Sequence, residues 1–233
     1  MLRSEGVQMP RKPEKRTPLT RERALAAAMT IADTEGIGAL TMRRVAKELG
    51  VEAMALYYHV ANKEDLLDGM IDVVFSEIVV PLPGGDWVEA MRELASSARV
   101  VLLRHPWAVS LMDSRTAPGP ATLRHHEDVI GLHRAAGLSM ASSAHIYALL
   151  DAFVYGFVIQ EVALPSQGDA AAMQEGGEQV VQALPIDEFP NMHAFMAEHV
   201  MQPGYSFSAE FDFGLDLILR GLAEAERLKE SNR

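Results

Sequence analysis

Between residues 20 and 229 the apolar side chains recur at every third or fourth position, in blocks closed by glycine or proline. That spacing gathers them on one face of an α-helix, whereas a half-buried strand needs strict alternation. The sequence shows no alternating segment and no internal repeat. The expected fold class is therefore all-α, an N-terminal three-helix head with a larger helical body. Thr20 caps the first block, which carries Leu25, Ala28, Met29 and Ala32 and stops at Gly36. Thr41 caps a second, apolar at Met42, Val45, Ala46 and Leu49 and ending at Gly50, and a third runs from about Glu52 to Val60. Asn62 caps a fourth over 63–80, with Asp65 three residues on as a capping acid. Its stripe of Leu66, Leu67, Met70, Ile71, Val74, Phe75 and Ile78 is wide enough to be buried on two sides. PLPGGD (81–86) breaks the pattern, with Asp86 placed to cap the next helix. Further helices are expected over 86–104, 105–114, 119–136, 139–163, 187–201 and 206–229, with a glycine- and glutamine-rich loop between Pro165 and Pro185.

Two short helices around one glycine form a helix-turn-helix. Close crossing calls for a small residue, Ala46, and the turn for one that tolerates positive φ, Gly50. Val51 and Leu56 then fill the angle, while Val45 and Leu49 anchor the first helix. Ala53, Met54, Ala55, Tyr57, Tyr58 and His59 are left facing outward. A helix entering the major groove needs short residues at its tip and longer ones where it leaves toward the backbone. Ala53-Met54-Ala55 suit thymine methyls, and Tyr57, Tyr58 and His59 carry donors for phosphates or base edges. Inward packing of Tyr58 is the competing reading.

Charge supports the outward reading. The net charge of −11 conceals a split: residues 1–63 hold 11 Lys+Arg against 7 Asp+Glu, and the rest hold 10 against 25. A small basic module beside an acidic body suits a polyanionic partner. Residues 1–19, with three prolines, read as a flexible basic arm. Their cluster RKPEKR (11–16), with Arg21 and Arg23 just beyond, suits phosphates. The expected organisation is this arm, a DNA-binding domain over 20–64 and a body over 65–233.

The run Leu56-Tyr57-Tyr58-His59-Val60-Ala61-Asn62-Lys63-Glu64-Asp65-Leu66, an L-Y-x-H-x-x-N-K-x-x-L pattern, resembles the signature of the TetR (tetracycline repressor) family of bacterial transcriptional regulators. The likeness covers 20–70. It implies that Thr41, Tyr57, Tyr58, His59 and Lys63 lie at the DNA backbone or groove, with Arg43, Ala53, Met54 and Ala55 toward base edges. A weaker likeness to the regulatory domain of the tetracycline-repressor branch continues over 86–229. It runs through Trp87, LLRHP (102–106), GFVIQE (156–161) and FDFGLDLILRGL (211–222). This implies an effector cavity inside the body and a homodimer made by the helices at about 139–163 and 206–229. The 206–229 pattern agrees in part, placing Phe211, Leu215, Ile218, Leu219 and Leu222 on one stripe. Gly214 and Gly221 would then admit a partner helix.

In tetracycline-binding members, histidines and an asparagine hold the drug and its magnesium; ungapped alignment puts Val79, Leu94 and Met112 at those positions. No metal–tetracycline site is therefore expected, and no cofactor. The expected ligand residues are Trp107, Met112, Phe153, Phe157, Phe189, Met192, Phe195 and Met196, joined by Met173, with His105, Asp113, Gln160 and Glu161 as orienting polar groups. Such linings adapt to planar apolar ligands, though ordinary core packing competes at each position.

The chain has no cysteine, which removes disulfides, zinc–thiolate sites and thiol nucleophiles. His125, His126 and His133 form no HExxH pattern and read as solvated or capping. No nucleophile elbow or phosphate-cradling glycine loop occurs, so no catalytic residue is expected. The N-terminus lacks an apolar leader, and the apolar stretch 146–159 is too short for a bilayer span and carries Asp151, so a cytoplasmic protein without a membrane partner is expected. These readings converge on a ligand-responsive repressor that binds a palindromic operator as a homodimer and is released by a small, largely apolar or aromatic effector. A transcriptional activator, or a helical binding protein or enzyme using the head for docking, remain alternatives.

Overall fold

The computed structural model describes residues 18–112, 114–164 and 185–231, which are helices and connecting turns without a strand. Helix α1 (Arg21–Glu35) starts where the Thr20 hydroxyl accepts the Arg23 N–H and stops at Gly36, whose φ is 81°. A 3₁₀ turn (Ile37–Ala39) leads to α2 (Met42–Leu49), where Thr41 accepts the Arg44 N–H at 3.1 Å. Gly50 closes α2 in the left-handed region, φ 64°. Helix α3 comprises only Ala53–Leu56, and residues 57–59 form a turn, so the helix expected to reach Val60 is shorter. The cause lies on either side of the turn. Leu56 and Val60 are both buried, and Asn62, as the next cap, needs extended backbone (φ −164°), so the helix cannot run on.

Helix α4 (Lys63–Glu77) is capped by Asn62, which accepts the Asp65 N–H at 2.9 Å, while Asp65 accepts the Ala61 N–H at 2.7 Å. It passes the expected 64/65 boundary without interruption, so head and body share it. Its stripe is buried on both sides as expected. The body continues with α5 (Trp87–Arg104), capped by Asp86, then a 3₁₀ turn (Pro106–Ala108) and α6 (Val109–Met112). Helices α7 (Pro120–Ala135), α8 (Met140–Ala163), α9 (Pro190–Phe195) and α10 (Phe207–Ser231) follow. The expected 105–114 helix is thus two short pieces. The expected 187–201 helix is one short α-helix running into a π-turn at Met196–Val200. Helix α4 packs most extensively on α7, and α8 is sandwiched between α5 and α10.

Helix α8 is 24 residues long, and one 18-residue window reaches a mean hydropathy of 1.5, so it is long and apolar enough to cross a bilayer, contrary to the reading of 146–159. Its buried face, which includes Ile146, Leu150, Val154 and Phe157, packs inside the body. Another correction concerns α10. Phe211, Leu215 and Leu219 are buried within the chain, and a Cβ on Gly214 would meet the Phe153 ring at 2.8 Å. Gly214 therefore serves the α8–α10 crossing within the protomer, while among the described residues no atom lies within 4 Å of a Cβ on Gly221. Gly214→Val should lower stability by about 1–3 kcal/mol through overpacking, whereas Gly221→Ala should leave chemical denaturation of the isolated subunit no weaker.

Candidate functional site

The expected contact residues lie in α2, α3 and the segments flanking them, with graded exposure. Tyr58 is 87% exposed, Met54 70% and Tyr57 45%, so Tyr58 does not pack inward. Thr41, Arg43 and Lys63 are exposed as well, while Ala53, Ala55 and His59 are half-buried. Tyr57, Tyr58 and His59 belong to the turn after α3 rather than to its outer face. Neighbouring cations are committed elsewhere. Arg44 bridges Glu35 (2.5 Å) and Glu48 (2.7 Å). Arg21, read from sequence as a phosphate contact, makes a two-pronged pair with Asp65 at 2.7 and 3.0 Å and donates to the His59 carbonyl. The Arg21 hydrogen bond holds the Asp65 carboxyl below its ordinary range against the opposing effect of burial. Arg21 thus fastens the Tyr57–Lys63 segment to α1. Arg23 donates to the Pro18 carbonyl. The basic cluster at 11–16 lies outside the described residues.

A second site lies in the body. A pocket partly open to solvent, with about 500 Å³ of atom-free space including its mouth, is walled by four helices and by Met112. Phe75 and Ile78 come from the α4 segment, Met91, Leu94, Ala95 and Ala98 from α5, and His125, Val129 and His133 from α7. Ile146, Tyr147, Leu150, Asp151, Val154 and Tyr155 come from α8. Of the expected ligand residues that are described, Met112 alone lines it; Leu94, one of the aligned tetracycline positions, lines it too, whereas Val79 is exposed. The other described residues of that set have their side chains elsewhere. His105 sits between Asp33 (2.8 Å) and Glu77 (3.2 Å), and the Trp107 indole donates to Asp33 at 2.7 Å. Phe153 and Phe157 stack with Phe207 and Phe211. Glu161 is paired with Arg99 at 2.6 Å and with Ser208; burial alone raises it, but these partners hold its carboxyl below the ordinary range. Gln160 bonds to the Gly156 carbonyl of its own helix. Phe189, Met192 and Phe195 are about half exposed, and Met196 is half-buried outside the lining. Asp113 and Met173 lie outside the described residues.

The α7 histidines are the largest surprise. His133 is fully buried, and burial holds its imidazole below the ordinary range. Burial, reinforced by His126 and opposed by Asp128, pushes His125 down to about 4. His126 bonds to the Tyr147 hydroxyl. The signal that would have found this wall was the four-residue spacing His125-Val129-His133, facing Met91-Ala95-Ala98 and Ile146-Leu150-Val154.

Polar clamps tie the cavity walls to α4. Arg115 grips Asp68 at 2.5 Å and Glu64 at 2.8 Å. Asp72 accepts both the backbone N–H and the hydroxyl of Thr122 in the first turn of α7, at 2.8 and 3.0 Å. A Cβ on Gly119 would strike the Asp72 carboxylate at 2.3 Å, so only glycine allows this approach.

Comparison with known proteins finds relatives of both the head and the body. Residues 24–70 match the family described as "Bacterial regulatory proteins, tetR family", and 80–225 match "Tetracyclin repressor-like, C-terminal domain". An HTH-type transcriptional regulator of Saccharopolyspora erythraea is 31% identical over 222 residues, covering 94% of this chain and 92% of that protein. The HTH-type transcriptional repressor DrrR1 of Streptomyces coeruleorubidus is 34% identical over 212 residues, 88% of this chain and 77% of that one. Among solved structures, the TetR family protein ActR of Streptomyces coelicolor in complex with actinorhodin superposes with a TM-score of 0.72. It is 31% identical, covering 90% of this chain and 99% of that one.

The half-buried His125 has a thermodynamic signature. With its folded pKa near 4 and an unfolded value of 6.5, the unfolded chain takes up this proton first. Stability should therefore be complete above about pH 6.5 and fall by roughly 3 kcal/mol as the pH drops towards about 4. In denaturant titrations, His125→Phe should flatten that part of the pH dependence.

Proposed function

The chain belongs to the tetR family of bacterial transcriptional regulators, and from that premise we propose that it is a ligand-responsive repressor that binds a palindromic operator as a homodimer. Its role is regulatory, not enzymatic. The reading places it in the cytoplasm, with residues 1–19 as a basic arm, 20–64 as the DNA-binding domain and 65–233 as the effector-binding and dimerisation body. Met54, Tyr57 and Tyr58, with Thr41, Arg43, Ala53, Ala55, His59 and Lys63, form the surface that meets DNA. Two such heads would occupy successive major grooves about 34 Å apart.

The observation that carries this reading is the double duty of α4. Its first turn seats the Tyr57–Lys63 segment, and its last turns reach the cavity through Phe75 and Ile78. An effector in the cavity, small and largely apolar or aromatic, biases the position of α4 and with it the spacing of the heads. It need only favour the DNA-incompetent state, with about 1.4 kcal/mol of preference for each tenfold loss of operator affinity. The relative DrrR1 is a repressor and ActR has been solved with actinorhodin bound, which lends support by analogy.

The dimer reading rests on apolar stripes left exposed among the described residues. Phe213, Leu217 and Leu228 lie exposed along α10 with Gly221 between them, and Leu149 and Ile159 lie exposed along α8. A second copy covers both stripes at once. It uses the face opposite the Phe211–Leu215–Leu219 stripe that the sequence pointed to.

Three measurements test the proposal. Operator affinity should fall at least tenfold between about 50 and about 200 mM salt; a salt-insensitive constant contradicts phosphate contact. Tyr58→Ala should weaken operator binding about tenfold or more while changing unfolding free energy by less than about 0.5 kcal/mol. Leu217→Asp should yield a monomer in analytical ultracentrifugation and lose operator binding with it; a dimer that persists would place the interface elsewhere.

A further inference from the structure

His125, Val129 and His133 recur every fourth residue on α7, so the two imidazoles bracket one face of the helix about 12 Å apart along its axis. Both line the cavity. Among the described residues, three buried side-chain polar atoms lack a hydrogen-bond partner, and two of them are the Nδ1 atoms of His125 and His133. A buried polar group left unmatched costs about 1–3 kcal/mol, so two on one wall mark where a ligand's polar atoms belong.

The tautomer of His133 follows from its neighbour. Nε2 lies 3.1 Å from the Met91 sulfur. A thioether has no hydrogen to give, so Nε2 carries the ring proton and Nδ1 presents a lone pair. That lone pair requires a donor. No contact dictates the tautomer of His125, and a hydroxyl, both donor and acceptor, serves either form. The rest of the lining is largely apolar, with Phe75, Leu94, Met112 and Leu150, alongside Tyr147, Asp151 and Tyr155. The Phe75 ring already stands 5.0 Å from that of His125, an arrangement into which another flat ring extends. Burial keeps both imidazoles neutral, so they offer an anionic ligand no countercharge.

Resting on the reading of this cavity as the effector site, we propose that it selects an elongated, uncharged aromatic molecule with a phenolic hydroxyl near each end, one donating to His133 Nδ1 and the other bonded to His125 Nδ1. The Tyr147 hydroxyl, another polar group of the lining, is engaged by His126.

The test uses the full-length protein and a matched pair of probes, para,para′-dihydroxybiphenyl and its dimethyl ether, with affinities from calorimetry and operator release from anisotropy. The diol should bind at least tenfold more tightly than the ether. His133→Phe and His125→Phe, which keep a ring in place, should each cut that preference by about threefold or more. If one variant fails to fold, the other still decides. Equal affinity for the two probes, binding by neither, or an undiminished preference in the folded variants would overturn the hydroxyl assignment. Full preference for the diol with no operator release would instead sink the effector reading and leave the assignment standing.

Discussion

Helix α4 must be buried on two sides at once, and the rest of the molecule is arranged to satisfy that demand. Its apolar residues Leu66, Leu67, Met70, Ile71, Val74 and Phe75 are too many for one partner face. Each is worth about 1.5–3 kcal/mol when fully buried, so a head alone would expose part of the stripe and a body alone another part. Helix α1 covers one side, and α7 with α5 covers the other. The head is therefore not tethered to the body but shares a helix with it. A displacement in one is felt in the other because packed interiors transmit strain rather than absorbing it.

Polar contacts then determine where along α4 each neighbour sits. Asp65 receives Arg21 from α1, Asp68 receives Arg115, Asp72 caps the start of α7, and Glu77 meets His105 and Arg104. These acids recur at three-, four- and five-residue intervals along the helix, and each ties it to a different element. Apolar burial alone is non-directional and would tolerate sliding, whereas hydrogen-bonded pairs of this geometry specify register. The same acids explain part of the charge split. Many of the acidic groups beyond Lys63 are partners of internal cations rather than bare surface charge.

Much of this was legible in advance. The helix-turn-helix, its glycine at positive φ, the caps Thr20, Thr41, Asn62 and Asp86, and the exposure of Met54, Tyr57 and Tyr58 all rest on local rules. A cap needs one side chain and the next turn; a left-handed residue needs only the absence of a Cβ. The cavity was not legible. Its expected lining was chosen by residue type, favouring Phe and Met, yet Phe153 and Phe157 went to a cluster with Phe207 and Phe211, and Glu161 was taken by Arg99. The actual lining depends on which faces of α5, α7 and α8 converge, and helical spacing shows that a face exists without showing what it meets.

Sequence by itself determined the all-α class, the position of the head, the turn at Gly50 and the outward set just beyond it, because each is a property of residues within a few positions of one another. Tertiary structure decided which apolar stripe of α10 turns inward, which histidines are buried neutral, and where the cavity opens. Those outcomes turn on contacts such as Gly214 against Phe153 and His133 against Met91, which are remote in the chain. The free energy of such contacts depends on a neighbour that only the folded chain supplies.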